Sequence, residues 1–390
     1  MIDRGIVLWF PAPRSFTGEA MAELQVHGGR SVIEGVLEAL ADCPGLRPAE
    51  PGEFTRRAFD NGKLDLSEVE GLADLIAAET AAQRRQALQQ MDGGLSRLTE
   101  GWRARLLPAL ARLEATIDFS DEELPEGLVD SQRGKLEALL GELDAALADE
   151  SRGERLRSGV QIAVLGPPNV GKSTLLNALA KRDVAIVSSQ PGTTRDVIEV
   201  HLDLGGYPVT LADTAGLREG HGSDVSDIER EGMRRARQRA GAADLKLVVT
   251  DARSWPTLDP ATRELIDDDS IVALNKIDLV PTDGCIPDDR IVIPISAKTG
   301  KGVPELLSLL KARVAELLTG GTEAPAITRI RHRQAVVDCR DALARSLSTD
   351  APELIAEDLR LAVRALGRIT GRVDVEDLLD VIFQEFCIGK

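Results

Sequence analysis

Residues 161–180 read Gln161-Ile162-Ala163-Val164-Leu165-Gly166-Pro167-Pro168-Asn169-Val170-Gly171-Lys172-Ser173-Thr174-Leu175-Leu176-Asn177-Ala178-Leu179-Ala180. A β-branched and apolar run gives way to a Gly/Pro turn and then to good helix formers, which predicts strand, tight turn and helix in succession. Gly166 and Gly171-Lys172-Ser173 stand at the spacing of a P-loop, in the strand–turn–helix context that motif requires. The chemistry follows from the residue types. Glycines let main-chain N–H groups wrap phosphate oxygens, Lys172 neutralises the β/γ oxygens, the helix N-terminus adds positive potential, and the Ser173 hydroxyl suits Mg²⁺.

Outward from this stretch, short apolar runs at 162–165, 209–212, 245–250, 271–274 and 291–295 alternate with helical segments, which predicts a parallel α/β sheet with flanking helices over 158–320. Both flanks are helical. Residues 63–157 are rich in Ala, Leu, Glu, Gln and Arg, with Leu136, Leu139, Leu140, Leu143 and Leu147 at helical spacing; residues 321–390 resume that texture after Gly320, Gly321 and Pro325. The expected architecture is thus an α/β domain inserted in an all-α domain. Ahead of both, residues 1–62 mix the apolar run 6–10 with Pro11, Pro13, Gly28, Gly29, Pro51 and Gly52, as a small α+β domain would.

Three further motifs follow the P-loop in order. Asp213-Thr214-Ala215-Gly216 ends a predicted strand, where a carboxylate can hold the Mg²⁺ shell and a glycine amide can sense the γ-phosphate. Between it and the P-loop, Pro191-Gly192-Thr193-Thr194 forms a polar loop in which Thr194 can complete the metal site while the γ-phosphate is present. Asn275-Lys276-Ile277-Asp278 and Ser296-Ala297-Lys298 end two more strands. The Asp278 carboxylate accepts from the ring N–H and exocyclic amine of guanine, whereas adenine would leave it facing an acceptor. An unpaired polar group of that kind costs about 1–3 kcal/mol, so the motif selects GTP over ATP. The Ser296 triplet supplies a main-chain amide for the guanine oxygen.

For hydrolysis, Leu217 occupies the position at which some GTPases carry a water-orienting glutamine, and it cannot serve. The polar segment 218–231 offers Glu219, Asp224, Asp227, Glu229 and Glu231 instead. No arginine is placed to act as a finger, but Asn169 and main-chain carbonyls of the loop after Ile186 can hold a K⁺ beside the phosphates.

Composition narrows the remaining classes. A net charge of −17 opposes broad contact with a phosphate backbone. Cys43, Cys285, Cys339 and Cys387 lack disulfide-framework or zinc spacing. No apolar run reaches membrane-spanning length and the first residues do not form a signal peptide, so a cytoplasmic protein without membrane contact is expected.

The chain resembles the MnmE (TrmE) family of tRNA-modification GTPases. The resemblance rests on Trp9-Phe-Pro-Ala-Pro13, Ser15-Phe-Thr-Gly-Glu19, Val26-His-Gly-Gly29, Pro51-Gly-Glu-Phe54, Asn61-Gly-Lys-Leu-Asp-Leu66, Ile117-Asp-Phe119 and Phe386-Cys-Ile-Gly-Lys390, with the inserted G domain between. It implies a folate-binding, dimerising N-terminal domain and a homodimer whose G domains pair with K⁺ to activate hydrolysis. It also implies a flavoprotein partner, MnmG (GidA), in a heterotetramer. Together they would place a 5-aminomethyl or 5-carboxymethylaminomethyl group on the wobble uridine of tRNA, with tRNA held mainly through the partner. The carbon would come from a tetrahydrofolate derivative in its 5-formyl or 5,10-methylene form.

Carried over by residue, the resemblance puts GTP on Asn169, Val170, Gly171, Lys172, Ser173 and Thr174, on Ser188, Ser189, Gln190, Pro191, Gly192, Thr193 and Thr194, and on the three later motifs. It gives Mg²⁺ to Ser173 and Thr194, K⁺ to Asn169, Ser188, Gln190 and Thr193, and the attacking water to Glu229. Folate would meet Glu23, Lys63 and Lys390, with Cys387 near it as a residue needed for modification. Family members carry further strands and a helix ahead of the segment matching Ile2-Asp3-Arg4-Gly5, including an arginine of the folate site, so residues 1–62 are expected to be an incomplete N-terminal domain. The alternative function is a GTP-switch regulator or ribosome-assembly GTPase without modification activity.

Overall fold

The computed structural model describes residues 1–118, 130–182, 184–186, 199–213, 240–258, 260–264, 266–267, 270–280, 292–319, 327–373 and 382. The chain divides into two compact units: one from Met1–Ala77, Ala87–Glu150 and Arg329–Lys390, the other from Ala78–Gln86 and Ser151–Thr328.

The first unit opens with β1 (Ile6–Phe10) and β2 (Met21–Gln25), paired antiparallel with Ile6 opposite Gln25, followed by α1 (Arg30–Ala41) and α2 (Glu53–Asp60). Sequence reading anticipates β1; β2, with its mixture of Met21, Glu23 and Gln25, is not recognisable as a strand until it pairs. The helices proper begin with α3 (Leu66–Ala77), whose start is a capping box: Glu68 Oε2 accepts the Asp65 N–H at 2.8 Å and Asp65 Oδ1 accepts the Glu68 N–H at 3.0 Å. Then come α4 (Ala81–Met91), whose residues up to Gln86 belong to the second unit, α5 (Gly94–Asp118) and α6 (Asp130–Ala148), and, from the far end of the chain, Ile330–Ser348 and Pro352–Thr370. Their shared core includes Trp102, Leu106, Leu139, Leu143, Val336, Leu343 and Leu366.

A buried polar cluster joins the two sequence halves of this unit. Glu70 on α3, 2% exposed, accepts from His332 Nε2 at 2.7 Å and from Arg331 at 2.8 and 3.1 Å, while Arg329 bonds Asp74 at 2.7 Å. Burial alone would raise the Glu70 carboxyl, but His332 and Arg331 outweigh it and hold the carboxyl well below the usual range. Burial lowers the His332 imidazole, against the opposing pull of Glu70.

The second unit contains α7 (Glu150–Ser158) and then a six-stranded sheet of β3 (Val160–Leu165), β4 (Glu199–Asp203), β5 (Pro208–Asp213), β6 (Leu245–Asp251), β7 (Ser270–Asn275) and β8 (Val292–Pro294), ordered β4-β5-β3-β6-β7-β8. Five strands run parallel; β4 at the edge runs antiparallel to β5, Val200 opposite Leu211. The sheet is thus parallel as expected, apart from that edge strand. Its sequence, Glu199-Val200-His201-Leu202-Asp203, puts Val200 and Leu202 inward and polar residues outward, as an edge allows. On one face α8 (Lys172–Ala180) and the helix Val303–Leu318 supply Leu175, Leu176, Leu179, Leu306, Leu310 and Val314 to the core.

Candidate functional site

The P-loop forms as the turn from β3 into α8. Gly166 has φ 135°, and a Cβ there would stand 2.0 Å from the Val249 carbonyl oxygen, so the loop passes against β6 at a distance only glycine permits. Gly171 caps α8 in the left-handed region, φ 98°, and no side chain caps the helix. The helix thus presents its first-turn amides at the loop as an anion site. Lys172 is 6% exposed, and its Nζ donates to the carbonyls of Gly166 at 2.7 Å and Pro167 at 2.8 Å. A phosphate oxygen would be a stronger, charge-assisted acceptor at the same place. Asn169, with φ 61°, Ser173 and Thr174 are exposed around the loop.

Asn275 ends β7 and is 2% exposed. Its Nδ2 donates to the Val170 carbonyl at 2.7 Å, and its Oδ1 accepts the Ala297 N–H at 2.9 Å. One side-chain amide therefore ties the phosphate loop to the loop after β8, a task needing a donor and an acceptor on one planar group, which a carboxylate lacks. The Ala297 N–H, one of the amides expected at the guanine oxygen, is the donor of this bridge. Ser296, fully buried, donates its hydroxyl to Asp278 Oδ1 at 2.7 Å, which orients this exposed carboxylate. Ile277 is buried beneath it, its N–H bonded to the Ile295 carbonyl at 3.2 Å, while Lys298 is exposed. The P-loop, the Asn275 motif and the Ser296 motif thus meet at the carboxyl end of the parallel strands, where ligands bind open α/β sheets.

Lys276 adopts φ 67° and extends its Nζ to the Asn169 carbonyl at 2.7 Å. The same ammonium lies 3.0 Å from Asp251 Oδ2. Asp251, 8% exposed at the end of β6, also accepts from the Arg253 N–H and Nε, each at 3.0 Å, and from its Nη2 at 2.6 Å. The Arg253 side-chain bonds, then the Arg253 N–H and Lys276, hold its carboxyl well below the usual range against the opposing effect of burial. Motif reading passes over Asp251. The one signal is its place: a carboxylate directly after a predicted strand, beside Asn275 in the register.

Other expected residues fall elsewhere. Asp213 ends β5. Ser188, Ser189, Gln190, Pro191, Gly192, Thr193, Thr194, Thr214, Ala215, Gly216, Glu229, Cys387 and Lys390 lie outside the described residues. In the N-terminal part, Glu23 is exposed on β2, opposite Leu8. Lys63 Nζ donates to the Pro13 carbonyl at 3.1 Å, Asn61 Nδ2 to the Thr17 carbonyl at 2.9 Å, and Arg57 to Glu19 at 2.8 Å. The segments around Ser15 and Asn61 are therefore brought together. Among the described residues no group of three or more His, Cys, Asp or Glu could hold a metal, and no helix is long and apolar enough to cross a membrane.

Comparison with known proteins places this geometry. The model of the MnmE helical domain matches residues 66–387, and that of the GTP-binding protein TrmE N-terminus matches residues 1–63. The tRNA modification GTPase MnmE of Paramagnetospirillum magneticum is 57% identical over 100% of this chain and 87% of its own. That of Parvibaculum lavamentivorans is 58% identical with the same coverage. Among solved structures, the G domain of the T. maritima FeoB iron transporter aligns at 27% identity and TM-score 0.27, over 40% of this chain and 98% of that one. Identity above one half over the whole of this chain, two matching domain models and a P-loop tied to the Asn275 loop agree, and the chain belongs to the MnmE family of tRNA modification GTPases.

Proposed function

We infer that this chain binds and hydrolyses Mg²⁺·GTP at the carboxyl end of its sheet and couples that cycle to modification of the wobble uridine of tRNA. The observation that carries the nucleotide reading is the Asn275 bridge, which fixes the phosphate loop and the guanine loop in one frame. Bound there, Mg²⁺ neutralises charge developing on the phosphoryl oxygens. Ser173, exposed at the start of α8, and Thr194 would hold it. Lys172 exchanges its carbonyl partners for phosphate oxygens, and Glu229 orients the attacking water where Leu217 cannot. A K⁺ held by Asn169, Ser188, Gln190 and Thr193 supplies the positive charge an arginine would otherwise bring; the left-handed turn at Asn169 is compatible with that role.

The finer assignments follow from family membership. The chain acts in the cytoplasm as a homodimer, in a heterotetramer with MnmG (GidA), and forms the 5-aminomethyl or 5-carboxymethylaminomethyl group from a tetrahydrofolate one-carbon unit. Residues 1–62 expose Ile6, Val7, Trp9 and Leu37, an apolar surface suited to a protein interface. The contacts of Lys63 and Asn61 with the Pro13 and Thr17 carbonyls support a folate site that includes Glu23, Lys63 and Lys390, with Cys387 beside it. At a net charge of −17, tRNA is held mainly by the partner.

The test is GTP turnover in K⁺ and Na⁺ at equal ionic strength, over a range of protein concentrations. Strong stimulation by K⁺, rising with concentration, is expected; equal rates in both salts would remove the K⁺ mechanism and leave the GTP-switch alternative in its place.

A further inference from the structure

We propose that Asp251 is a positioning residue of the guanine site, acting through Lys276 as the anion that holds this lysine across the phosphate loop. The inference rests on the nucleotide reading above and adds a residue to it. Lys276 stands in the left-handed region, a conformation non-glycine residues adopt at a cost, and its side chain must reach back over the P-loop to meet the Asn169 carbonyl. A carbonyl alone satisfies one of three ammonium donors and none of the charge. The Asp251 carboxylate, 3.0 Å away and 11% exposed in its side chain, supplies both. Neither partner is free to swing into water: Asp251, at the end of β6, is fixed by the main-chain N–H and the guanidinium of Arg253, and Lys276 follows directly on β7, the neighbouring strand. The Lys276 stem is thereby stretched from the end of the sheet to the P-loop, along the edge where the base and ribose must lie between Asp278 and the phosphates.

Arg253 offers a rival explanation of the same carboxylate, because Asp251 also caps the short turn Ala252–Ser254. The two roles separate experimentally. If Asp251 acts through Lys276, removing its charge weakens nucleotide binding only while Lys276 is present; if it acts by holding the turn, Arg253→Ala should reproduce the loss.

The experiment is a double-mutant cycle on the full chain, read by GDP and GTP affinity and by the GDP off-rate, with thermal melting of each protein without nucleotide. Asp251→Asn is expected to weaken GDP binding about tenfold and speed its release by a similar factor, while Asp251→Asn added to Lys276→Met changes affinity less than about twofold. Arg253→Ala is expected to stay within about twofold of the wild type. An Asp251→Asn effect of equal size in both backgrounds, or its reproduction by Arg253→Ala, overturns the proposal, as does unchanged affinity in Asp251→Asn. Should Asp251→Asn fail to fold, the Arg253→Ala and Lys276→Met proteins decide: full affinity in the first with a tenfold loss in the second supports the proposal, and the reverse sinks it. Failure of the nucleotide reading looks different, since the wild type itself would then bind no guanine nucleotide.

Discussion

The guanine end of the α/β unit and the first forty residues of the chain are built on opposite terms. At the guanine end, Lys172, Asn275, Ser296 and Ala297 are each under one-tenth exposed, and every one of them is bonded to a neighbouring loop. In β1, β2 and α1 no residue is buried, and Ile6, Val7 and Trp9 face solvent at 59%, 67% and 65%. The difference shows where preorganisation lies. A site that must discriminate one base fixes its polar groups before the ligand arrives, whereas the β1–β2 pair carries large apolar side chains on its surface.

The comparison can be broken most severely at Asn275. Asn275→Ala leaves the Val170 carbonyl and the Ala297 N–H unpaired in a buried frame, which should cost about 2–4 kcal/mol of stability and abolish tight nucleotide binding. Thermal melting with and without GDP checks this, and a variant that binds GDP normally would show that the two loops do not depend on the bridge. Asp278→Asn should keep the frame intact, since Ser296 can still donate to the new amide oxygen, yet lower GTP affinity about a hundredfold. Competition between GTP and xanthosine triphosphate is the readout, with unchanged GTP selectivity counting against the assignment.

A smaller effect sharpens the comparison from the helical side. His332 is fully buried with its pKa lowered, so on acidification the unfolded chain takes up a proton near pH 6.5 before the folded one does. Its contribution is present above that pH and is lost as pH falls; the depressed Glu70 adds a further loss below about pH 4.3, its ordinary value. His332→Gln, which retains an N–H donor for Glu70, should flatten the decline in Tm between pH 7 and pH 5, and a slope identical to the wild type would assign that decline elsewhere. The smallest stability effect is expected at the open end of the chain. Trp9→Ser should change melting by less than about 0.5 kcal/mol while reducing self-association in sedimentation. A large drop in Tm would mean that Trp9 is covered in the folded protein.

Much of this is legible in the sequence. The four central parallel strands announce themselves because strands covered on both faces are continuous apolar runs, as at Ile162–Leu165 within β3 and Leu247–Val249 within β6. The P-loop and the base-reading motif are equally plain, since phosphate and guanine demand fixed residue types at fixed spacing. Edge elements are harder. β4 alternates apolar with charged residues and β2 mixes both kinds, and such patterns acquire meaning only from the strand they pair with.

The sequence by itself determined the nucleotide class, the order of the motifs, the inserted α/β domain and the family, because each depends on chemistry or periodicity carried by neighbouring residues. Only the tertiary structure decided that Asn275 spends its amide joining two loops 105 and 22 residues away, that Asp251 faces Lys276, and that Glu70 finds Arg331 and His332 across 261 and 262 residues. Those pairings have no local signature. A carboxylate or an amide looks the same in sequence whether water or a distant side chain satisfies it, and burial, which the whole fold sets, makes the choice.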